Sequence, residues 1–280
     1  MSNRLRGIDI SHYQPTPDPN ALNSSGLAFC WVKATQGNQY KYSSFVTQYD
    51  AVSKSALLRG AYHFFDPSVD GTTQAKFFSD MVLQSFTAGD LPPMIDVEMA
   101  LNGTSAADAI ANLKACIAQM KTDFGLQPVI YTNFYYWRDT LGNPKGFSAS
   151  PLWLAAYSAN PPNVPGDWGN MTIWQYRSDY PATFYNPTLD IDADYFYGSI
   201  SDLWNLAGLN SIGPTHSVQP KVFALQTALT NAGYNTHGVD GFFGDNTKAA
   251  LTNWQGANGF NQDGIITPDQ WAKLFGISYV

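Results

Sequence analysis

At 280 residues the chain is long enough for one large domain with a small one beside it, or for two of middling size. Its formal charge of -7 divides into about -6 before residue 214 and about -1 after it, so neither part offers a basic patch for nucleic acid. Aromatic residues reach 15% while charged residues are only 13%, which leaves Asn, Gln, Ser, Thr, Gly, Tyr and Trp to cover much of the surface, as in many sugar-binding proteins.

The chain starts Met-Ser-Asn-Arg-Leu-Arg-Gly-Ile-Asp-Ile, with no apolar h-region, and runs straight into a strand pattern, so no Sec-type leader is expected. No later stretch approaches the length of a membrane span, and no membrane insertion is expected. Short apolar runs predict strands near 5–10, 27–34, 57–64, 93–97, 127–132, 152–156, 171–176 and 188–192. Amphipathic stretches separate them, the pattern of an α/β protein with strand-helix units around a mostly parallel sheet, and eight such strands suggest a barrel. Phe45, Tyr49 and Val52 mark one helix, and Phe78 and Val82 another. The clearest helix runs near 105–123, with Ser105 and Asp108 as a capping-box-like start and Ile110, Leu113, Ile117 and Met120 at helical spacing. All these stripes read as core. Cys30 falls on a buried strand and Cys116 on a helix, and two cysteines in so long a chain read as free buried thiols rather than a disulfide scaffold.

The first domain is expected to span residues 1–206. After Trp204, the stretch Ala-Gly-Leu-Asn-Ser-Ile-Gly-Pro-Thr-His at 207–216 has the chemistry of an interdomain linker. A small α-helical domain then occupies 217–280. It carries a faint internal repeat, in which Asp240-Gly-Phe-Phe-Gly244 and Asp263-Gly-Ile-Ile-Thr267 each lead into a helical pattern, though two copies are too few for a solenoid.

The chemistry concentrates on acids at strand ends. Leu91-Pro-Pro-Met-Ile-Asp96-Val-Glu98 places two carboxylates at i and i+2, which on a strand share a face about 6.5–7 Å apart. In a parallel barrel the carboxyl ends of strands are where sites are built. Asp9, in Gly7-Ile-Asp-Ile-Ser11, and Asp192 fall at similar positions. Four carboxylates at one mouth repel each other, which raises the pKa of at least one, as a general acid at neutral pH requires. Asp190 and Asp194 read as turn or helix caps. By itself the Asp-x-Glu pair could also hold Mg²⁺ or Ca²⁺ through oxygen ligands. Aromatics near the strand ends favour sugar: Tyr62, Phe64, Tyr131, Tyr157 and Trp174 can stack on pyranose rings, and the Tyr hydroxyls and Gln175 can hydrogen-bond the sugar's substituents. His12, His63, His216 and His237 are scattered, with no zinc-binding spacing.

Several of these segments match a family pattern. Gly7-Ile-Asp-Ile-Ser11, Trp31-Val-Lys-Ala-Thr35, Gly60-Ala-Tyr-His-Phe64, Pro92-Pro-Met-Ile-Asp-Val-Glu98, Ile130-Tyr-Thr132, Leu152-Trp-Leu-Ala-Ala-Tyr157, Ile173-Trp-Gln-Tyr176 and Ile191-Asp192, in that order, make the first two hundred residues resemble glycoside hydrolase family 25, the Chalaropsis-type lysozymes. The resemblance implies an irregular, flattened TIM-like (β/α) barrel, muramidase cleavage of the β-1,4 bond between N-acetylmuramic acid and N-acetylglucosamine, and neither metal nor cofactor. It places Asp9, Asp96, Glu98 and Asp192 at the family's acidic positions. Asp192 is chosen over its neighbours because Asp192-x-Asp194-x-Phe196-x-Gly198 is similar to the family's Asp-x-Asn-x-Phe-x-Gly ending. Gln36 departs from the pattern, standing where the family often has Glu.

Glu98 is then expected to act as general acid and later as base. Asp96 is either the nucleophile or, preferred, the group that orients the substrate's own 2-acetamido group, since two acids adjacent on one strand tend to sit on the same side of the bond. Residues 217–275 resemble a peptidoglycan-binding domain, through Leu225-Gln226, Gly233-Tyr234, Asp240-Gly-x-x-Gly244, Thr247, Leu251, Trp254-Gln255 and Asp263-Gly264, with Thr267 and Gln270 replacing its usual second Gly and Thr. The expected partner is bacterial peptidoglycan, held by stacking and hydrogen bonds more than by charge, and the chain is expected to act as a monomer. A wall-lytic domain, a wall-binding domain and no leader together imply a phage endolysin, held in the host cytoplasm until it is released to the cell wall. A chitinase-like glycosidase and a non-catalytic wall-binding protein are the competing readings.

Overall fold

The computed structural model describes residues 4–185 and 189–280, so Thr188 of the last expected strand and Met1, Ser2 and Asn3 of the start lie outside the described residues. Among the described residues nine strands form one sheet: β1 (Arg4–Ile10), β2 (Phe29–Gln36), β3 (Tyr40–Lys41), β4 (Leu58–Phe64), β5 (Met94–Asp96), β6 (Val129–Asn133), β7 (Leu152–Ala155), β8 (Ile173–Pro181) and β9 (Asp190–Tyr197). Their order is β1-β9-β8-β7-β6-β5-β4-β2-β3, and a further pairing of β1 with β2 closes eight of them into a barrel. β3 hangs outside that ring as an antiparallel partner of β2. The sequence reading missed it because two exposed residues carry no hydrophobic period.

Neighbours pair in parallel from β1 through β2 and β4 to β8, while β9 runs antiparallel to both β8 and β1. The reason lies in the connection. Only residues 182–189 join β8 to β9, too few for the crossover of a dozen or more residues that a parallel return needs. Helices α1 (Pro19–Asn23), α2 (Ser44–Ser53), α3 (Gly71–Val82), α4 (Ala106–Phe124) and α5 (Ile200–Leu206) accompany the barrel. The β6–β7 crossover carries only a short π-helical turn at Tyr136–Thr140, and among the described residues no helix joins β7 to β8. α4 begins as its sequence suggests, with Ser105 Oγ accepting from the Asp108 amide at 3.1 Å, and stops at Gly125, whose φ of 69° suits glycine. Its buried stripe is Ala109, Leu113, Cys116, Met120 and Phe124. Cys30 and Cys116 are free and buried.

Aromatic rings fill the barrel. Trp31 and Trp153 meet edge to face at 5.0 Å, and both are wholly buried. Two strand glycines make room for such rings: a Cβ at Gly7 would collide with Phe29, and one at Gly60 with Trp31. The acids therefore stand above a packed floor rather than over a pore.

Three further helices, α6 (Pro220–Asn231), α7 (Asp245–Ala257) and α8 (Pro268–Phe275), form the C-terminal part. The faint repeat has a structural meaning, because each copy is a turn locked by one buried glutamine. Gln226 Nε2 donates to Asp240 Oδ1, the Phe242 carbonyl and Thr247 Oγ1, while its Oε1 accepts from the Asp240 and Gly241 amides. Gln255 does the same for Asp263, Ile265 and Gly264, with Gln270 taking the place of Thr247. The Thr267–Gln270 departure is thus accommodated, since Gln270 also accepts from the Thr267 amide at the start of α8.

This part is seated on the barrel. The Trp271 indole donates to the Ala56 carbonyl at 3.0 Å and packs against Trp204 at 5.7 Å. Lys221 Nζ donates to the carbonyls of Ser55 and Leu57. Ile212, within 207–216, pairs with Ile266 through two backbone hydrogen bonds, and the Val280 amide reaches the Arg4 carbonyl.

Candidate active site

Asp96 ends β5, beside Phe64 of β4 and Tyr131 of β6. The extended course continues for two residues, because the Val97 amide donates to the Tyr131 carbonyl at 2.8 Å and the Val97 carbonyl accepts from Thr132 Oγ1 at 2.8 Å. Val97 therefore turns into the core, and Asp96 and Glu98 face the same side. Asp9 lies on β1, and its register partner on β9 is Asp192.

The four acids differ in their surroundings. Asp96 is buried, its Oδ1 has no hydrogen-bond partner among the described residues, and burial followed by the nearby Glu98 charge pushes its pKa well up. Asp9 is also buried and raised, by burial and then by Asp192, although Gln175 Nε2 donates to its Oδ2 at 2.8 Å and opposes the rise. Asp192 is half-buried and raised to about 6, by burial and then by Glu98. Glu98 is exposed at the groove, whose walls strip enough of its hydration to raise its pKa while Lys33 pulls the other way. Among the described residues no three His, Cys, Asp or Glu side chains form a group that could hold a metal ion.

A groove of about 660 Å³ opens beside Glu98, lined among others by Tyr131, Asn133, Tyr135, Tyr157 and Pro161. A second cavity, about 510 Å³, lies between Thr87–Asp90 and residues 211–221 and contains none of the four acids. Tyr131 OH and Tyr157 OH both donate to Gln175 Oε1, at 2.8 and 3.0 Å. Gln175 passes its own N–H to Asp9, so a relay of hydrogen bonds joins the groove wall to the carboxylate at its base.

Residues 8–183 match the model of glycosyl hydrolases family 25. This chain belongs to glycosyl hydrolases family 25. It is 34% identical over 217 residues to an N,O-diacetylmuramidase of Chalaropsis sp, covering 72% of this chain and 99% of that protein. It is 31% identical to lysozyme M1 of Streptomyces globisporus, covering 72% and 71%. A family GH25 lysozyme from Aspergillus fumigatus superposes with a TM-score of 0.66 at 36% identity, over 73% of this chain and 99% of that one. A peptidoglycan binding domain model matches residues 218–274.

Within this family 25 barrel, Asp9, Asp96, Glu98 and Asp192 come together, and Tyr62, Phe64, Tyr131, Tyr157 and Gln175 stand around them. Tyr62 is buried next to Asp9 and Asp96, whose charges add to burial in raising its hydroxyl pKa. Three expectations need correction. Trp174 does not reach the groove: strand alternation turns it away from Gln175, it is 2% exposed, its Nε1 donates to the Ala156 carbonyl, and it packs on Tyr176 and Tyr195. Asp194 is no cap. It sits inside β9, wholly buried, with Oδ1 accepting from the Trp153 indole at 3.0 Å and its pKa raised by burial and then by Asp9. Asp192 lies near the start of its strand rather than the carboxyl end, and it reaches the mouth because β9 runs backwards. Asp190, the first residue of β9, is exposed.

Sequence reasoning also passed over Lys33, the one charged residue in Phe-Cys-Trp-Val-Lys-Ala-Thr-Gln. It registers beside Tyr62, and its ammonium lies 4.3 Å from the Phe64 ring centroid. A lone cation in an apolar strand was the signal. Gln36, the departure from the family pattern, accepts from Tyr42 OH at 3.1 Å and from Lys33 Nζ at 3.5 Å.

Proposed function

We propose that the chain hydrolyses the β-1,4 bond between N-acetylmuramic acid and N-acetylglucosamine in bacterial peptidoglycan. The observation that carries this reading is the pair at the end of β5, a buried Asp96 with an unpartnered oxygen and a groove-facing Glu98, both with raised carboxyl pKa. Glu98 donates its proton to the leaving glycosidic oxygen, then accepts one from the water that completes hydrolysis. Asp96 faces the same side as Glu98, which suits it to orient and stabilise the 2-acetamido group as that group attacks the anomeric carbon, with retention of configuration. Burial beside the groove keeps Glu98 protonated toward neutral pH, and Asp9 and Asp192 offer acceptors to sugar hydroxyls. Tyr131 and Tyr157 present ring faces to the pyranose.

The C-terminal helices hold the enzyme on peptidoglycan, in line with the family model they match. A bacteriolytic, endolysin-type role at the cell wall belongs to the same proposal and draws on the pairing of a lytic barrel with a wall-binding part. Mass spectrometry of fragments released from purified peptidoglycan is the test. Wild type should give products with N-acetylmuramic acid at the new reducing end, and Glu98→Gln should give none while still sedimenting with walls. N-acetylglucosamine at the new end, or full activity in a folded Glu98→Gln protein, overturns the proposal.

A further inference from the structure

The acids of the mouth cannot all be ionised together without a counter-charge, and among the described residues none of the four takes part in an ion pair. Among the described residues Lys33 is the cation that acts on them. Lys33 rises from β2 between β1 and β4, with its ammonium over Phe64 at 4.3 Å and within 6.0 Å of the Tyr62 ring centroid. It too makes no ion pair among the described residues, so its charge is not spent on one partner. We propose that Lys33 is the shared counter-charge of this carboxylate cluster, a positioning residue that sets which acids are ionised when substrate arrives.

The fields on every side agree with that placement. From β1 and β5, Asp9, Asp96 and Glu98 each feel Lys33 as a lowering influence, and all three in turn oppose the effect of burial on the lysine. Asp192 of β9 faces the same cluster from across the mouth through Asp9 and Asp96. Asp194 of β9, buried below Asp9 and Asp192, is a further acid with a raised pKa. The other titratable neighbours are His63 of β4, held near 4 and therefore neutral, His12 beyond β1, also lowered, and Cys30, Tyr42, Tyr62, Tyr131, Tyr136 and Tyr157, all raised. The histidines, the tyrosines and the thiol carry no charge at neutral pH, so among the described residues the balance at the mouth is one cation against the acids. The cation–π seat on Phe64 holds the ammonium at a distance from which it reaches several carboxylates without collapsing onto one.

The inference rests on Glu98 as proton donor and Asp96 as the ionised partner. On that reading kcat/KM rises with pH as the coupled Asp96–Glu98 pair loses its first proton and falls as it loses its second, the two limbs belonging to the pair. Taking Lys33 away raises both. The experiment compares pH profiles of kcat/KM on purified peptidoglycan for wild type, Lys33→Met and Lys33→Arg. In Lys33→Met both limbs should move to higher pH, by about one unit for a partly screened charge at this range. Lys33→Arg should restore both limbs. If Lys33 only binds substrate or supports the fold, activity falls by the same factor at every pH and the limbs stay in place, which overturns the proposal. If Lys33→Met does not fold, Lys33→Gln, which keeps a polar side chain but loses the charge, is read in the same way. Carbon-13 NMR titration of the carboxyl groups without substrate gives a second readout. Unmoved Asp96 and Glu98 titrations in the variant overturn the counter-charge whatever the reaction is, whereas a wild type inactive on peptidoglycan overturns only the functional reading.

Discussion

Aspartates in the two parts of this molecule live under opposite rules. In the C-terminal part, Asp240 and Asp263 sit in solvent-exposed turns, and each takes an amide N–H and a glutamine N–H, so hydrogen bonds pull both pKa values down. At the barrel mouth, Asp9 and Asp96 are buried among other acids with few donors, and both are pushed up. The same side chain is a structural fastener where donors surround it and a reactive group where they are withheld. The turns hold their ionised form in place, whereas the mouth retains protons at a cost to the fold.

The comparison can be broken at its strongest point first. Glu98→Gln should lower kcat by about 10³-fold, within the range for loss of a general acid or base, with the far-UV circular dichroism and melting temperature kept. Next comes the fastener side. Gln226→Ala strips donors from Asp240 and leaves two amides unsatisfied, and urea unfolding should show a loss of about 3 kcal/mol.

Asp192→Asn should do the reverse. A carboxyl raised to about 6 in the fold, from an ordinary value of 3.8, favours the folded state fully below about pH 4, and that benefit is lost as pH rises through 6. The Asn variant should therefore match wild type in thermal scans at pH 3.5 and exceed it at pH 7, by on the order of 1 kcal/mol after screening. An equal difference at both pH values would mean that the mouth is not strained by charge. The smallest effect, and of opposite sign, belongs to Asp240→Ala. Its depressed carboxyl pKa gives stability present above the ordinary value and lost as pH falls, so the variant should melt slightly lower than wild type at pH 7 and converge with it in acid.

Much of this architecture was legible in the chain. Eight apolar runs became the eight barrel strands because most of their residues are buried and turn residues bound them, although the far half of β8 runs out to exposed positions. Asp96 and Glu98 were readable together because the i, i+2 relation survives past the end of β5, held by Val97. What escaped depends on neighbours that no local pattern encodes. The direction of β9 is set by the length of one connection, and it alone carries Asp192 to the mouth. Trp174 and Gln175 are adjacent in sequence, but only the sheet decides which of them faces the acids. Lys33 could have been noticed as a charge in an apolar strand, but its carboxylate partners lie on β1 and at the end of β5. The two-copy repeat was visible as Asp-Gly pairs, while the glutamines that give it meaning lie on the preceding helices, 14 and 8 residues away.

The seating of Trp271 on the Ala56 carbonyl, and of Lys221 on those of Ser55 and Leu57, bears on anyone who would exchange modules in this enzyme. A barrel severed at residue 216 would lose the indole that covers Trp204 and the ammonium that satisfies the loop after α2. A transplanted targeting unit would thus need to reproduce that footprint, because the junction is a fitted joint and not a leash.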